Sequence, residues 1–399
     1  MQADIGCRES IRNPADYFAR LREGGDVQWS DAHRGWVILS HEEVEAAFRD
    51  NENLSADRSA TFRRAAHGHS RGFEMAAELL TGWMNFRDPP AHTRLREPVK
   101  SAFTPRQVSS LETEVQSIVD SVLDSFAGRD VVDLTEELAR PIPALVIAAI
   151  LGVDPGGRAR FQEWSDDLGR MVFSMSPSSA PDEPIARATT EFVDFFSGLV
   201  ERERGEPSGS LLTAIVSSPI SDLTHMELVG ACTLLLFAGH ETTTMLLNNS
   251  LAILLERPEL REWLRARPEA YPAAIEEFMR CVGPARTMVR KVARAHERGG
   301  QQFVPGQNAF LSIASANHDP AIFAAPELLD LERDPNPHLG FGWGLHFCLG
   351  ANLARLEARV ALQTLLERYP RLTLTEPAPP LWGGVMGYGR RPLPVTNFA

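Results

Sequence analysis

The chain has 399 residues, 43% hydrophobic and 23% charged, an ordinary globular balance with length enough for a large core. Its formal net charge of −13 argues against general affinity for nucleic acid, and the opening MQADIGCRES lacks the apolar run of a signal peptide or membrane anchor. Four cysteines (Cys7, Cys232, Cys281, Cys348) lie far apart and fit thiols of a reducing cytoplasm better than a disulfide framework, while no linker-like shift divides residues 1–399 into separate domains.

The first fifty residues read as helix, strand, strand, helix. Phe18 and Leu21 fall at helical spacing, Trp36 to Leu39 is a short apolar strand, and Ser40 with Glu43 forms a capping box for the next helix. From Arg58 to Gly72 the chain is basic, rich in small residues and weakly periodic, so a loop is predicted there, followed by a short helix over 73–80. In RDPPAHTRLREPVKSAF, Asp88-Pro89-Pro90 signals a helix start. His92 and Arg96 then share one face, for which a solvated basic surface is the competing reading, and Pro98 predicts a kink. Helical patterning runs from Val108 to about Leu212, broken by SMSPSSAPDEP at 174–184, which reads as a connection.

Thr224 and Glu227 form a second capping box and open the longest helical pattern, to about Leu255. Between Leu228 and Leu255 the only formal charge is Glu241. A membrane span competes, but HETTT at 240–244 and Asn248-Asn249 interrupt it, so a buried central helix is expected. Ala238 and Gly239 beside Glu241 would let a flat ligand pack closely, and the Thr242 and Thr243 hydroxyls compete for helix carbonyls.

Pro272 starts another helix, in which Glu277 and Arg280, three apart, can pair; such a spacing is common by chance. ARTMVRKVAR after Pro284 alternates like a strand, 303–315 reads as strands, and Asp334-Pro335-Asn336-Pro337 excludes regular structure. Then comes FGWGLHFCLG, residues 341–350. Alternating Gly342 and Gly344, with Gly350 beyond, read as a tight irregular loop whose backbone approaches something flat. Cys348 stands at the doorway of a helix carrying Leu353, Leu356 and Val360 on one face, where free N–H groups and the helix dipole favour thiolate, the metal-ligating form. A buried structural cysteine is the competing reading. The chain closes on GGVMGYGRRPLPV, a glycine-rich hairpin with its tip near Val385 and Met386.

The order F-G-x-G-x-H-x-C-x-G, continued by Leu353, Ala354, Arg355 and Glu357, resembles the cytochrome P450 family of haem-thiolate monooxygenases, in particular its bacterial members without membrane anchors. Ala238-Gly239-His240-Glu241-Thr242-Thr243, D-P-P-x-H-T-R-L-R, E-x-x-R and Arg290 six residues after Pro284 extend the resemblance over essentially the whole chain, whereas Leu331 and Gly340 depart from its commoner residues. The resemblance implies a mainly α fold with a small β region, a single triangular-prism domain holding haem between the central helix and the cysteine-loop helix. It also implies that Cys348 ligates the iron of haem b (iron protoporphyrin IX). His92, Arg96 and Arg290 would meet the propionates; Ala238, Gly239, Phe341, Gly342, His346 and Gly350 would pack on the haem.

Thr242 would hydrogen-bond activated dioxygen, with Glu241 relaying protons to it, and Glu277 with Arg280 would form a structural pair whose third member is Arg333 or His338. Phe73, Leu80, Trp83, Met171, Phe173, Leu235, Thr287, Met288, Val385 and Met386 would line the substrate pocket, with Leu168 and Val172 on the lid. That apolar, methionine-rich set points to a hydrophobic small molecule. O2 would be co-substrate, with electrons from NAD(P)H through a reductase and a ferredoxin docking on Arg94, Lys100, Arg355 and Arg359. A monomer free of nucleic acid and membrane is expected. A peroxide-driven enzyme, a haem sensor and a zinc protein are the alternatives, the last lacking further paired ligands beside His346 and Cys348.

Overall fold

The computed structural model describes residues 2–153, 158–172, 177–218 and 222–398. Helices dominate, and the chain falls into two compact units. The first comprises Met1–Ser55, Leu111–Ile142 and Glu241–Ala399, the second Ala56–Ser110 and Pro143–His240.

The first unit holds the sheet structure. Five strands lie in the order Val27–Ser30, Gly35–Ile38, Asn308–Ser312, Thr287–Val292 and Leu54–Ser55. Only the Gly35–Ile38 pairing with Asn308–Ser312 is parallel. Side chains alternate faces along a strand. Ile38, Ala309 and Leu311 therefore join one cluster with Val44, Phe48 and Leu339, while Val37, Leu39 and Phe310 join another with Tyr17, Phe18 and Leu21. Gly35 is where the parallel strands approach most closely, since a Cβ there would lie 2.7 Å from the Asn308 carbonyl oxygen. The glycine-rich terminus forms the expected hairpin. Gly384 N donates to Gly387 O at 2.9 Å, Gly389 N to Trp382 O at 2.9 Å, and Val385 and Met386 occupy the tip.

Arg286, which sequence reading passed over, fastens this hairpin. Its buried guanidinium donates to the carbonyls of Gly384 (2.6 Å), Ile5 (3.1 Å) and Ser10 (2.8 Å), tying the N-terminal segment to the hairpin.

Helices make the second unit. Arg71–Thr81 packs on Asp182–Gly205 so closely that a Cβ on Gly72 would sit 2.5 Å from the Ala186 Cβ. Asp182 accepts from Ser70 N at 2.8 Å and from the Ser70 hydroxyl, bonds that hold its carboxyl below the usual range.

Two local expectations are corrected. Ser59–Ala66 is helical rather than loop: Phe62, Ala65 and Ala66 are buried at three-then-four spacing, and Arg58 stacks on Phe62 and Phe86 at 4.8 and 5.2 Å. With one large apolar side chain in the turn, that stripe was faint. The capping box at Ser40 is absent. Asp319 Oδ2 accepts from His41 N at 2.9 Å instead, and Glu43 pairs with Arg298 at 3.0 Å. The box at Thr224 does form, with Thr224 N donating to Glu227 Oε2 at 2.9 Å and Glu227 N to Thr224 Oγ1 at 3.3 Å. The central helix it opens spans His225–Glu256. No helix of the described residues is long and apolar enough to cross a membrane.

Candidate active site

The cysteine loop is shaped by its backbone. Gly342 and Gly344 both have φ of +69°, a region costly for any residue with a Cβ. Gly342 N donates to Leu339 O at 2.8 Å, and Cys348 N reaches back to Phe341 O at 2.9 Å, closing the loop. Gly350 then caps the helix Ala351–Arg368, with Ala354 N bonding its carbonyl at 2.9 Å. The loop leaves Cys348 exposed, whereas burial drives the Cys232 thiol up to about 12. Phe341 is buried beneath the Arg355 guanidinium at 4.4 Å, and His346 is half-buried.

Behind this loop, Glu277 is wholly buried and fully engaged. Arg280 donates to it through Nε and Nη2, both at 2.8 Å, Arg333 Nε at 3.2 Å, Asn336 Nδ2 at 3.1 Å and Asp330 N at 2.9 Å. Burial pushes its carboxyl upward, but the Arg280 bonds and the other donors outweigh that and hold it below the usual range. Arg280 spends its remaining donors on the carbonyls of Asn317, Pro326 and Leu328, each at 2.9 Å. The third member is thus Arg333. His338 serves the neighbouring Glu276 at 3.0 Å, which Arg355 also grips at 2.6 and 2.7 Å. Against burial, those partners bring Glu276 down to about 2.

The central helix carries the second feature. From Leu228 to Ala252 every residue is buried except Ala238, Gly239, Glu241 and Thr242. Ala238 and Thr242, one turn apart, are exposed; Gly239 and Glu241 are half-buried. Gly239 is needed for packing, since a Cβ there would meet Ile147 at 3.1 Å. Arg390 Nη1 stands 3.5 Å from Glu241 Oε1, a partner that sequence spacing gave no means of finding.

Among the remaining predicted residues, His92 is buried and Arg96 half-buried on the helix Ala91–Ala102, which continues through Pro98 as one element. Burial first, then the Arg96 charge, lowers His92 to about 4. Arg290 is buried, its strand paired with Ala309 and its guanidinium 5.9 Å from the Phe48 ring.

Phe73, Leu80, Trp83, Met171 and Leu235 are buried, as are Leu168 and Val172, and Trp83 Nε1 donates to Thr233 Oγ1 at 3.0 Å. Thr287 is buried, Met288, Val385 and Met386 half-buried, and Phe173 lies outside the described residues. The basic docking set is largely neutralised. Arg94 pairs with Glu227, Arg355 with Glu276, Arg359 with Glu112 at 2.6 Å and Lys100 with Glu97 at 3.7 Å.

A thiol exposed on a loop of glycine backbone fits a flat iron macrocycle that supplies the metal's other ligands. The comparisons agree. The Cytochrome P450 family model matches residues 28–267 and 270–387. The chain is 33% identical to the cytochrome P450 YjiB of Bacillus subtilis (strain 168), covering 92% of this chain and 89% of that one. It is 34% identical to the cytochrome P450 monooxygenase PikC of Streptomyces venezuelae, covering 98% and 93%. The crystal structure of CYP109E1 from Bacillus megaterium in complex with testosterone superposes with a TM-score of 0.85 at 28% identity, covering 98% and 99%. The mainly α architecture is therefore the P450 fold, and the chain belongs to the cytochrome P450 family as a haem-dependent, O2-using monooxygenase.

Proposed function

We propose that this monooxygenase inserts one oxygen atom from O2 into a C–H bond of a mainly hydrophobic small molecule. In this reading electrons reach it from NAD(P)H through a reductase and a ferredoxin-type carrier, and the whole chain acts as one catalytic domain. The observation that carries the proposal is the accessible face formed by Ala238, Gly239, Glu241 and Thr242, with its single carboxylate, in a helix buried on either side of it. Haem, when bound, supplies oxygen activation and the oxidising equivalent for C–H insertion, which thiolate ligation favours.

The protein's share is assigned as follows. Cys348 would hold the iron through its thiolate, and the Gly342–Gly344 backbone would allow the close approach that this requires. His92, Arg96 and Arg290 would hold the peripheral carboxylates. Glu241 takes a proton from solvent and passes it to the Thr242 hydroxyl, which hands its own proton onward to the oxygen that leaves as water. Met288, Val385 and Met386, half-buried in the first unit, are the surfaces offered to substrate, and their apolar character keeps water away from the reaction.

CYP109E1 was crystallised with testosterone, which supports a bulky apolar substrate class here. The test is an absorbance titration of the ferric protein with a panel of hydrophobic compounds, steroids included. A shift of the Soret band towards high spin marks a ligand that fills the pocket and displaces water from the iron. Responders are then expected to be oxidised with NADPH, ferredoxin and reductase. Responders oxidised only with hydrogen peroxide would replace this reading by a peroxide-driven one.

A further inference from the structure

Two turns beyond Glu241, on the same face of the central helix, stands Asn248, wholly buried. A buried amide must satisfy both its ends. Its Nδ2 donates to Arg391 O at 2.8 Å and to Thr135 Oγ1 at 2.7 Å, and its Oδ1 accepts from Arg391 N at 3.1 Å. The side chain therefore pairs with the Arg391 peptide unit much as a neighbouring strand would. On the other side, Trp382 Nε1 donates to Arg390 O at 3.0 Å. The backbone of Arg390 is thus pinned from both directions, and its guanidinium is delivered to Glu241 at 3.5 Å, the two side chains 28% and 20% exposed.

We infer that Arg390 is a positioning residue for the proton relay, aimed at Glu241 by the clamp that Asn248 places on Arg391. This deepens the relay reading above and rests on it. At 3.5 Å the contact is longer than a close charge-assisted hydrogen bond, which lies nearer 2.7–2.9 Å, and it sets the side of the carboxylate that faces the guanidinium. A proton that Glu241 takes from solvent is passed to the Thr242 hydroxyl, and the carboxylate returns to its ion pair with Arg390. Asn248, an apparently misplaced amide in an apolar helix, acquires a reason: it holds the terminal segment in register with the acid.

The experiment uses the full-length haem-loaded protein, a 7-alkoxycoumarin as fluorogenic probe, and a plant-type ferredoxin with its NADPH reductase. Arg390→Gln should lower product formed per NADPH about threefold or more while KM for the probe stays within about a factor of two, and Arg390→Lys should recover most of the loss. Hydrogen exchange supplies a readout independent of turnover: Asn248→Leu should speed exchange of the Arg391 amide about tenfold or more, and Arg390→Gln should leave it protected. If Asn248→Leu does not fold, Asn248→Ser serves, with the same loss of Arg391 protection expected. Arg390→Gln coupled as tightly as the parent, or Arg390→Lys as impaired as Arg390→Gln, would overturn the positioning role. Arg391 protection unchanged in the Asn248 variants would overturn the clamp. Thr242→Ala run alongside separates the levels: if it too leaves coupling intact, the relay reading has failed, and the exchange data still decide the clamp.

Discussion

Glu277 and Glu241 are two carboxylates of the same unit handled in opposite ways. Glu277 has no exposed surface and receives hydrogen bonds from two arginines, an asparagine and a backbone N–H. Glu241 is partly exposed and faces the Arg390 guanidinium at 3.5 Å. Breaking a buried pair from one side leaves an uncompensated charge and costs about 3–5 kcal/mol, whereas a half-exposed pair is worth a small fraction of that. The first carboxylate is held from every side by donors. The second is partly open to solvent beside Arg390, the setting a relay requires. A third acid, Glu357 on the cysteine helix, sharpens the contrast. It is buried, its Oε2 has no hydrogen-bond partner among the described residues, and burial raises its carboxyl well above the usual range.

The largest expected effect breaks the comparison at its fixed end. Arg280→Leu should destabilise the protein by about 3–5 kcal/mol or prevent folding, because Glu277 keeps its burial and loses its principal donor; denaturant unfolding measures it. Next, Thr242→Ala should leave thermal stability unchanged while lowering product per NADPH by about tenfold, with the missing electrons recovered as hydrogen peroxide. Unaltered coupling would remove Thr242 from the relay.

The pH dependence of stability follows from the depressed acids. Glu276 falls to about 2 in the fold, and Glu277 is depressed with it. Their stabilisation is complete above the unfolded carboxylate value and is lost as pH drops from about 4.5 towards 2. Melting temperature should therefore fall steeply in that window, and Arg355→Met, which strips a partner from Glu276, should flatten the slope. The smallest effect has the opposite sign. Glu357 is raised, so its contribution is present at low pH and declines as pH rises. Glu357→Gln should raise stability by about 1 kcal/mol at pH 8 and leave it unchanged near pH 4. Destabilisation by Glu357→Gln at both pH values would mean that the carboxyl has a partner.

How far the sequence was legible depended on what each residue answers to. Elements governed by local pattern were readable: the central helix with its Thr224–Glu227 cap, the alternating strand 287–292, and the turn at 384–387. So was the Glu277–Arg280 pair, because its members lie one turn apart on a helix. Partners distant in sequence left no trace. Nothing in spacing joins Arg390 to Glu241, Arg286 to Ile5 and Ser10, or decides between Arg333 and His338 for Glu277. The Ser40 cap failed for the same reason, since Asp319 reaches the helix N-terminus from across the fold. The pocket residues are a different case: Phe73, Leu80, Trp83 and Met171 are buried, and apolarity alone serves a cavity wall and a packed core equally well.

The central claim is that Cys348, presented on its glycine loop, is the thiolate ligand of the haem iron. The most direct measurement is the absorbance spectrum of the reduced protein under carbon monoxide, for the parent and for Cys348→His. The account predicts a strongly red-shifted Soret band typical of thiolate ligation in the parent, and a band at the imidazole-ligated position in the variant. A parent spectrum of the imidazole type, or a red-shifted band that survives replacement of Cys348, would contradict it.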